Sequence, residues 1–192
     1  MDRRETHERQ KRRLPKPLDG ARLEELALSY VARFATSGAK LESYLVRKLR
    51  ERGWEGERPA DPAAIAARFA ELGYIDDEAY ARARAGGLLR RGYGARRVEQ
   101  ALRGAGIAEE VRAEVEPGEH ARRAAALALA RKRRFGPFGS PPPDRERREK
   151  QVAAMIRAGH GFDAARAVLD AASADEVERW VAEASADENE EP

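Results

Sequence analysis

The sequence predicts an all-α protein made of three tandem three-helix repeats, stacked into an elongated array. Three observations carry this expectation. Apolar residues recur three and four apart along most of the chain, and no segment alternates with period two among β-branched residues. A motif repeats: "LRERGW", "LRGAGI" and "IRAGHGF" each close a helix with small or basic residues, a Gly and a large apolar residue. Their glycines are Gly53, Gly106 and Gly161, separated by 53 and 55 residues. Gly takes the left-handed conformation that ends a helix, and the next apolar side chain folds back on the last turn. His160 interrupts the third copy, where the others have one residue fewer. Finally, the apolar residues are mostly Ala, Leu and Val, and aromatics make up only 6%. That mixture suits several thin helical units better than one thick core.

The elements follow in order. Residues 1–19 form a basic, Pro-containing tail without apolar periodicity, which is expected to be disordered. Repeat one spans 20–75, with helices at 21–35, 40–52 and 61–72. The first carries Leu23, Leu26, Ala27, Tyr30, Val31 and Phe34, and the second Leu41, Tyr44, Leu45 and Leu49. In the third, Asp61 can cap, Pro62 suits the first helical position, and Ile65, Phe69 and Leu72 form the stripe. Repeat two spans 76–116, with helices at 76–91, 95–104 and 108–115. Repeat three spans 117–172, with helices at 118–134, 144–158 and 163–171. Residues 173–192 give a last helix and an acidic tail; Ser173 and Glu176 have capping-box spacing, and Val177, Trp180 and Val181 form its apolar side.

Composition narrows the function. Without cysteine there are no disulfides, zinc–thiolate sites or thiol nucleophiles, which fits a reducing cytoplasm. No apolar run approaches the ~20 residues that span a bilayer, and the basic N-terminus lacks the apolar stretch of a secretory signal. The cytoplasm is the expected location, with no membrane partner. The formal net charge of +3 hides a segregation. From Asp175 onward eight acids face a single Arg179, so the rest of the chain is clearly basic and suits a polyanionic partner.

Catalytic constellations are thin. Asp76, Asp77 and Glu78 stand together in "GYIDDEAYA", but neighbouring helical residues point about 100° apart and their carboxylates do not converge. They read as a cap and an acidic first turn. His7, His120 and His160 are not paired at metal-ligand spacing. Ser29, Ser37 and Ser43 lack an elbow setting, and the lone G-x-G of "RGYGARR" reads as a turn rather than a phosphate cradle. No catalytic residue, cofactor or metal is expected.

Basic residues instead cluster where the first helix of each unit hands over to the second. Repeat two offers Arg90, Arg91, Arg96 and Arg97 around Tyr93. Repeat three offers Arg131, Lys132, Arg133 and Arg134 before Phe135, then Arg145, Arg147, Arg148 and Lys150. A weaker set in repeat one comprises Arg33, Lys40, Arg47 and Lys48 beside Phe34. Cations at helix C-termini are locally favourable, and the alternating signs of "RERREK" fit a solvated face. The recurrence of one corner in all three units points further, to a basic stripe for a nucleic-acid backbone or an acidic protein groove. A stand-alone helix-turn-helix DNA reader is the alternative, with Arg96, Arg97, Gln100 and Arg103 on its recognition helix.

With these residues in place the chain resembles the RecX family of bacterial recombinase regulators. The likeness covers roughly 20–172 and rests on "LSYVARFATSGAKLESYLVRKLRERG", "ELGYIDDEAYARA", "RRGYGARRVEQALRGAGI" and "ARKRRFGPF…IRAGHGFDAARAVL". The resemblance implies three three-helix repeats in a curved array. It also implies a monomeric, non-enzymatic regulator that binds RecA and the RecA–DNA filament, lies in the filament groove, and inhibits ATP hydrolysis, strand exchange and coprotease function. Direct DNA binding would be weaker.

Overall fold

The structure, a computed structural model, describes residues 16–140 and 144–190, the side chains of 187–190 excepted. Ten α-helices follow one another among the described residues: α1 (Gly20–Val31), α2 (Gly38–Arg52), α3 (Pro62–Glu71), α4 (Asp77–Arg90), α5 (Ala95–Arg103), α6 (Glu109–Glu114), α7 (Glu119–Arg133), α8 (Arg145–Arg157), α9 (Phe162–Asp170) and α10 (Ala174–Glu190). A 3₁₀ turn, Gly136–Phe138, follows α7. The fold is all-α, and among the described residues no helix is long and apolar enough to cross a membrane.

Three separate cores replace a common one. In the first unit Leu23 and Ala27 of α1, Leu41 and Leu45 of α2, and Ala66 and Phe69 of α3 are buried together. In the second, Ala81, Ala85 and Leu88 of α4 meet Val98 and Leu102 of α5 and Ile107. In the third, Leu127, Leu129 and Ala130 of α7 meet Met155 of α8, and Val168 and Leu169 of α9. Caps fix the starts. Asp19, Ser37, Asp61, Asp76 and Asp144 each accept from a backbone N–H of the first turn, satisfying donors a helix leaves unpaired.

Two boundaries differ from the sequence expectation. Leu18, assigned to the tail, is fully buried in the first core. Its N–H donates to Gly53 O at 3.0 Å, and Glu55 N–H donates to Leu18 O at 2.8 Å, a one-residue parallel bridge. Arg52 reinforces it by donating Nε and Nη2 to Lys16 O at 2.9 and 2.7 Å. The expected tail therefore ends before Leu18; its residues 1–15 lie outside the described chain. At the other end, α10 packs along α7, and Val177 and Val181 sit in the third core. The last helix is thus a fourth member of unit three, because α7 has an apolar side that α8 and α9 leave open.

The repeat is also more regular than the motif suggests. The left-handed glycines that end the second helices are Gly53, Gly106 and Gly159, with φ of 80°, 70° and 98°, and they are evenly spaced by 53 residues. Gly161 is not one of them; at φ −70° it caps α9. His160 therefore replaces Trp54 and Ile107 rather than being an insertion.

These corners join the units. Buried Ser37, at the start of α2, donates its hydroxyl to Ala105 O at 2.5 Å, beside Gly106. At the next joint Gly94 N–H, at the start of α5, donates to Ala158 O at 2.9 Å, and Arg96 N–H donates to Gly159 O at 3.2 Å. The second helices α2 and α5 thus each receive, at their N-termini, the C-terminal corner of the next unit's second helix. Gly94 is required here: a Cβ would lie 2.4 Å from the Gly159 carbonyl. His160 closes the second joint. It is 3% exposed, and its Nε2 lies 2.9 Å from Gly92 O, which it meets as donor. Burial holds the imidazole below the ordinary His range, against the opposing pull of that carbonyl.

The acids at 76–78 have three structural tasks. Asp76 caps α4 through Ala79 N–H at 2.7 Å. Asp77 reaches back to the first unit, accepting from Gly38 N–H at 3.0 Å. Glu78 pairs with Arg82 one turn on. The middle acid is a tie between units.

Candidate anion-binding surface

The helices α4 and α7 end in the same way. At α4, Gly92 N–H donates to Leu89 O and Tyr93 N–H to Leu88 O. At α7, Arg134 N–H donates to Arg131 O and Phe135 N–H to Ala130 O. In both, a left-handed residue is followed by an aromatic one, but in α7 the left-handed residue is Arg134, at φ 55°. For a non-glycine this conformation costs about 1–2 kcal/mol.

Because α4 packs against α7, the two corners face one another, and the end of α8 lies alongside. Between them is a hollow of about 290 Å³ floored by Leu129, Ala154 and Ala158. Four cations line it: Arg91, Lys132, Arg133 and Arg157. Two aromatic rings, Tyr93 and Phe135, complete it, and among the described residues no carboxylate does. Arg91 is held by donating Nε to Gly87 O at 3.0 Å, with its guanidinium 5.9 Å from the Tyr93 ring centre. None of the four cations has an acidic partner among the described residues.

Helix C-termini favour each cation singly, by ~0.3–1 kcal/mol. They do not account for three C-terminal ends converging with no carboxylate among them. Like charges around one hollow repel, and a bound anion relieves that repulsion. A guanidinium fork matches phosphate or carboxylate oxygens in pairs.

The structure divides the residues expected to form one stripe. Arg91, Tyr93, Lys132 and Arg133 come together. Arg90 and Arg134 are exposed at the two corners, outside the hollow's lining. Arg131 pairs with Glu178 of α10 and lies 5.8 Å from the Phe138 ring centre. Arg148 is held by Asp170, donating Nε at 2.7 Å, and this bond, ahead of Arg166, keeps the Asp170 carboxyl below its usual range. Arg147 is exposed on the first turn of α8. Arg97 donates to Gln100 Oε1 at 2.6 Å, and Arg96 opens instead on hollows shared with Glu116. Arg157 is absent from the expected stripe, although it stands inside "IRAGHGF" on the last turn of α8.

Two other arrangements bear on function. Among the described residues no three His, Asp or Glu side chains gather as a metal site. The N-terminal backbone of α5, the end that a helix-turn-helix reader inserts into a groove, is docked on the Ala158–Gly159 corner. Arg103 of that helix pairs with Glu99.

Comparison with known proteins gives one consistent answer. Residues 76–115 match the RecX second three-helix domain. The chain is 35% identical over 165 residues to a regulatory protein RecX of Myxococcus xanthus, covering 81% of this chain and 88% of that one. It is 32% identical over 134 residues to that of Agrobacterium fabrum, covering 68% and 72%. With a RecX of Thermus thermophilus it shares 35% over 137 residues, covering 65% and 85%. The fold is similar to the crystal structure of a regulatory protein RecX, with TM-score 0.62, 23% identity and 79% and 73% of the chains covered. It is also similar to RecX from Lactobacillus salivarius, with TM-score 0.58, 15% identity and 84% and 96% covered.

Proposed function

Because this chain belongs to the RecX family of regulatory proteins, we propose that it is a non-enzymatic regulator that binds RecA and RecA–DNA filaments as a monomer. In this reading it inhibits RecA's ATP hydrolysis, strand exchange and coprotease function, and so modulates recombination and DNA repair. The observation that carries the reading is the hollow of Arg91, Lys132, Arg133 and Arg157 at the second joint. A recombinase filament offers a polyanionic backbone inside a protein groove, and an array of small units can follow that groove across several protomers. Modest contacts on successive units then reinforce one another through effective concentration. Inhibition follows from bridging: protomers held in one register neither exchange strands nor cycle through ATP freely.

A stand-alone duplex reader is less well supported, because the N-terminal backbone of α5 is occupied by the neighbouring corner. Direct DNA binding through the hollow remains part of the proposal, as a weaker, sequence-independent activity.

The test is the fourfold variant Arg91→Gln, Lys132→Gln, Arg133→Gln, Arg157→Gln. Affinity for a nucleotide-loaded filament should fall about 10- to 100-fold near 0.1 M salt. The salt dependence should also flatten, by ~0.7–0.9 in log–log slope for each phosphate that is no longer neutralised. Unaltered affinity and slope in the folded variant would refute the assignment.

A further inference from the structure

The first joint leaves a hollow of another character. About 570 Å³ in volume, it is walled by Val31 and Phe34 at the end of α1, Tyr74 before α4, and Lys40, Tyr80 and Arg84. Phe34 is 57% and Tyr74 55% exposed. Neither ring hangs free. Phe34 leans on Tyr30 at 5.3 Å, which stacks on Tyr44 at 4.2 Å, and Tyr74 leans on Phe69 at 5.4 Å. The rings are presented on an aromatic foundation, so little freedom remains to be lost when a partner covers them.

Exposed apolar residues also stand outside the lining of the hollow. Arg68 of α3 pairs with Glu24 of α1 at 2.8 Å, and one turn further along each helix stand Leu72 and Leu28. These are 61% and 48% exposed. Four of the six large apolar residues exposed among the described residues, Leu28, Phe34, Leu72 and Tyr74, therefore belong to unit one. Exposed large apolar residues concentrated in one unit mark an interaction surface rather than a solvated one.

Its charge states what covers it. Lys40 and Arg84 line the hollow, with exposed Arg33 next to Phe34 in sequence. The one acid in the lining, Asp76, is engaged as the cap of α4. Lys40 is tethered, its Nζ 2.7 Å from the Tyr80 hydroxyl. Two lining cations at the rim of an aromatic centre do not make the continuous cationic track that a nucleic-acid strand needs; the four-cation hollow at the second joint is the better place for a phosphate. Apolar anchors within a polar rim are instead the anatomy of a protein interface. We propose that the hollow at the first joint is a protein-docking site, taking a segment with one or two apolar side chains flanked by carboxylates. Naming RecA as the bearer of that segment rests on the function proposed above; the chemistry of the hollow does not.

The experiment compares Phe34→Ser/Tyr74→Ser with Arg84→Glu and the wild type, all checked by thermal melting. Three probes are used: DNA-free RecA, a single-stranded oligonucleotide, and a synthetic peptide with Leu and Phe flanked by Glu beside its Lys-flanked isomer. The double variant should bind RecA about tenfold or more weakly while keeping wild-type affinity for the oligonucleotide. Arg84→Glu should weaken RecA binding at low salt and lose that effect at high salt. In NMR titrations the Glu-flanked peptide alone should shift signals around Phe34 and Tyr74. If the folded double variant loses the oligonucleotide and keeps RecA, the site is a nucleic-acid platform and the proposal falls. It falls equally if RecA binding is unchanged, or if neither peptide shifts those signals. Wild-type protein that binds neither RecA nor its filament overturns the function proposed above. The peptide titration then still decides the site.

Discussion

His160 concentrates the chemistry of the second joint in one side chain. Its ring is buried and donates to Gly92 O, and burial holds its pKa below the usual value of 6.5. In the unfolded chain the ring takes up a proton as pH falls through 6.5, whereas in the fold it resists until a lower pH. Stability is therefore level above about pH 6.5 and declines as pH drops from there toward the folded value. Melting temperatures at pH 8, 7, 6 and 5 should trace that decline, and His160→Gln should flatten it. Asp170 is also lowered, by Arg148, but its loss begins only below the ordinary value of 3.8, far beneath the pH at which the decline from His160 sets in. The sequence makes His160 look like an extra residue in a degenerate motif. Its partner, Gly92, is 68 residues away, and local spacing carries no trace of that contact.

Helices are far more legible than the joints between them. Asp61–Pro62, Asp76 and the stripes of α1 to α3 announce themselves, because caps and amphipathic periods are written within a few residues. Gly94 does not. It reads as half of a G-x-G turn, and only the fold reveals that the Gly159 carbonyl lies where its Cβ would be. Gly94→Ala should destabilise the protein by about 1–3 kcal/mol as an overpacked contact. Urea denaturation would measure it, and hydrogen exchange should quicken at 92–97 and 157–160 before other regions. The basic stripe is half legible for the same reason. Recurrent Arg and Lys beside aromatics mark the corners, but Arg131 and Arg148 are held by Glu178 and Asp170, acids distant in sequence, and Arg157 joins the hollow from the last turn of α8, where the motif draws the eye only to the glycine.

With three separate cores the molecule is not bound to melt as one body. Removing residues 173–192 uncovers α7 and withdraws Val177 and Val181 from the third core alone. At ~1.5–3 kcal/mol for each buried Val, that unit should lose about 3–6 kcal/mol. Hydrogen exchange should accelerate across α7 to α9 while α1 to α3 keep their protection; uniform acceleration would mean the units share one cooperative core after all. The bridge between Leu18 and Trp54 has a consequence for the first corner of the array. In units two and three the corresponding corner is the socket by which a unit hangs on its predecessor, through Ala105 and through Ala158 with Gly159. In unit one that socket is filled by the chain's own Leu18, which takes the place of a neighbour. The backbone groups that join unit to unit at the other two corners are here turned inward, onto the chain's own N-terminal segment.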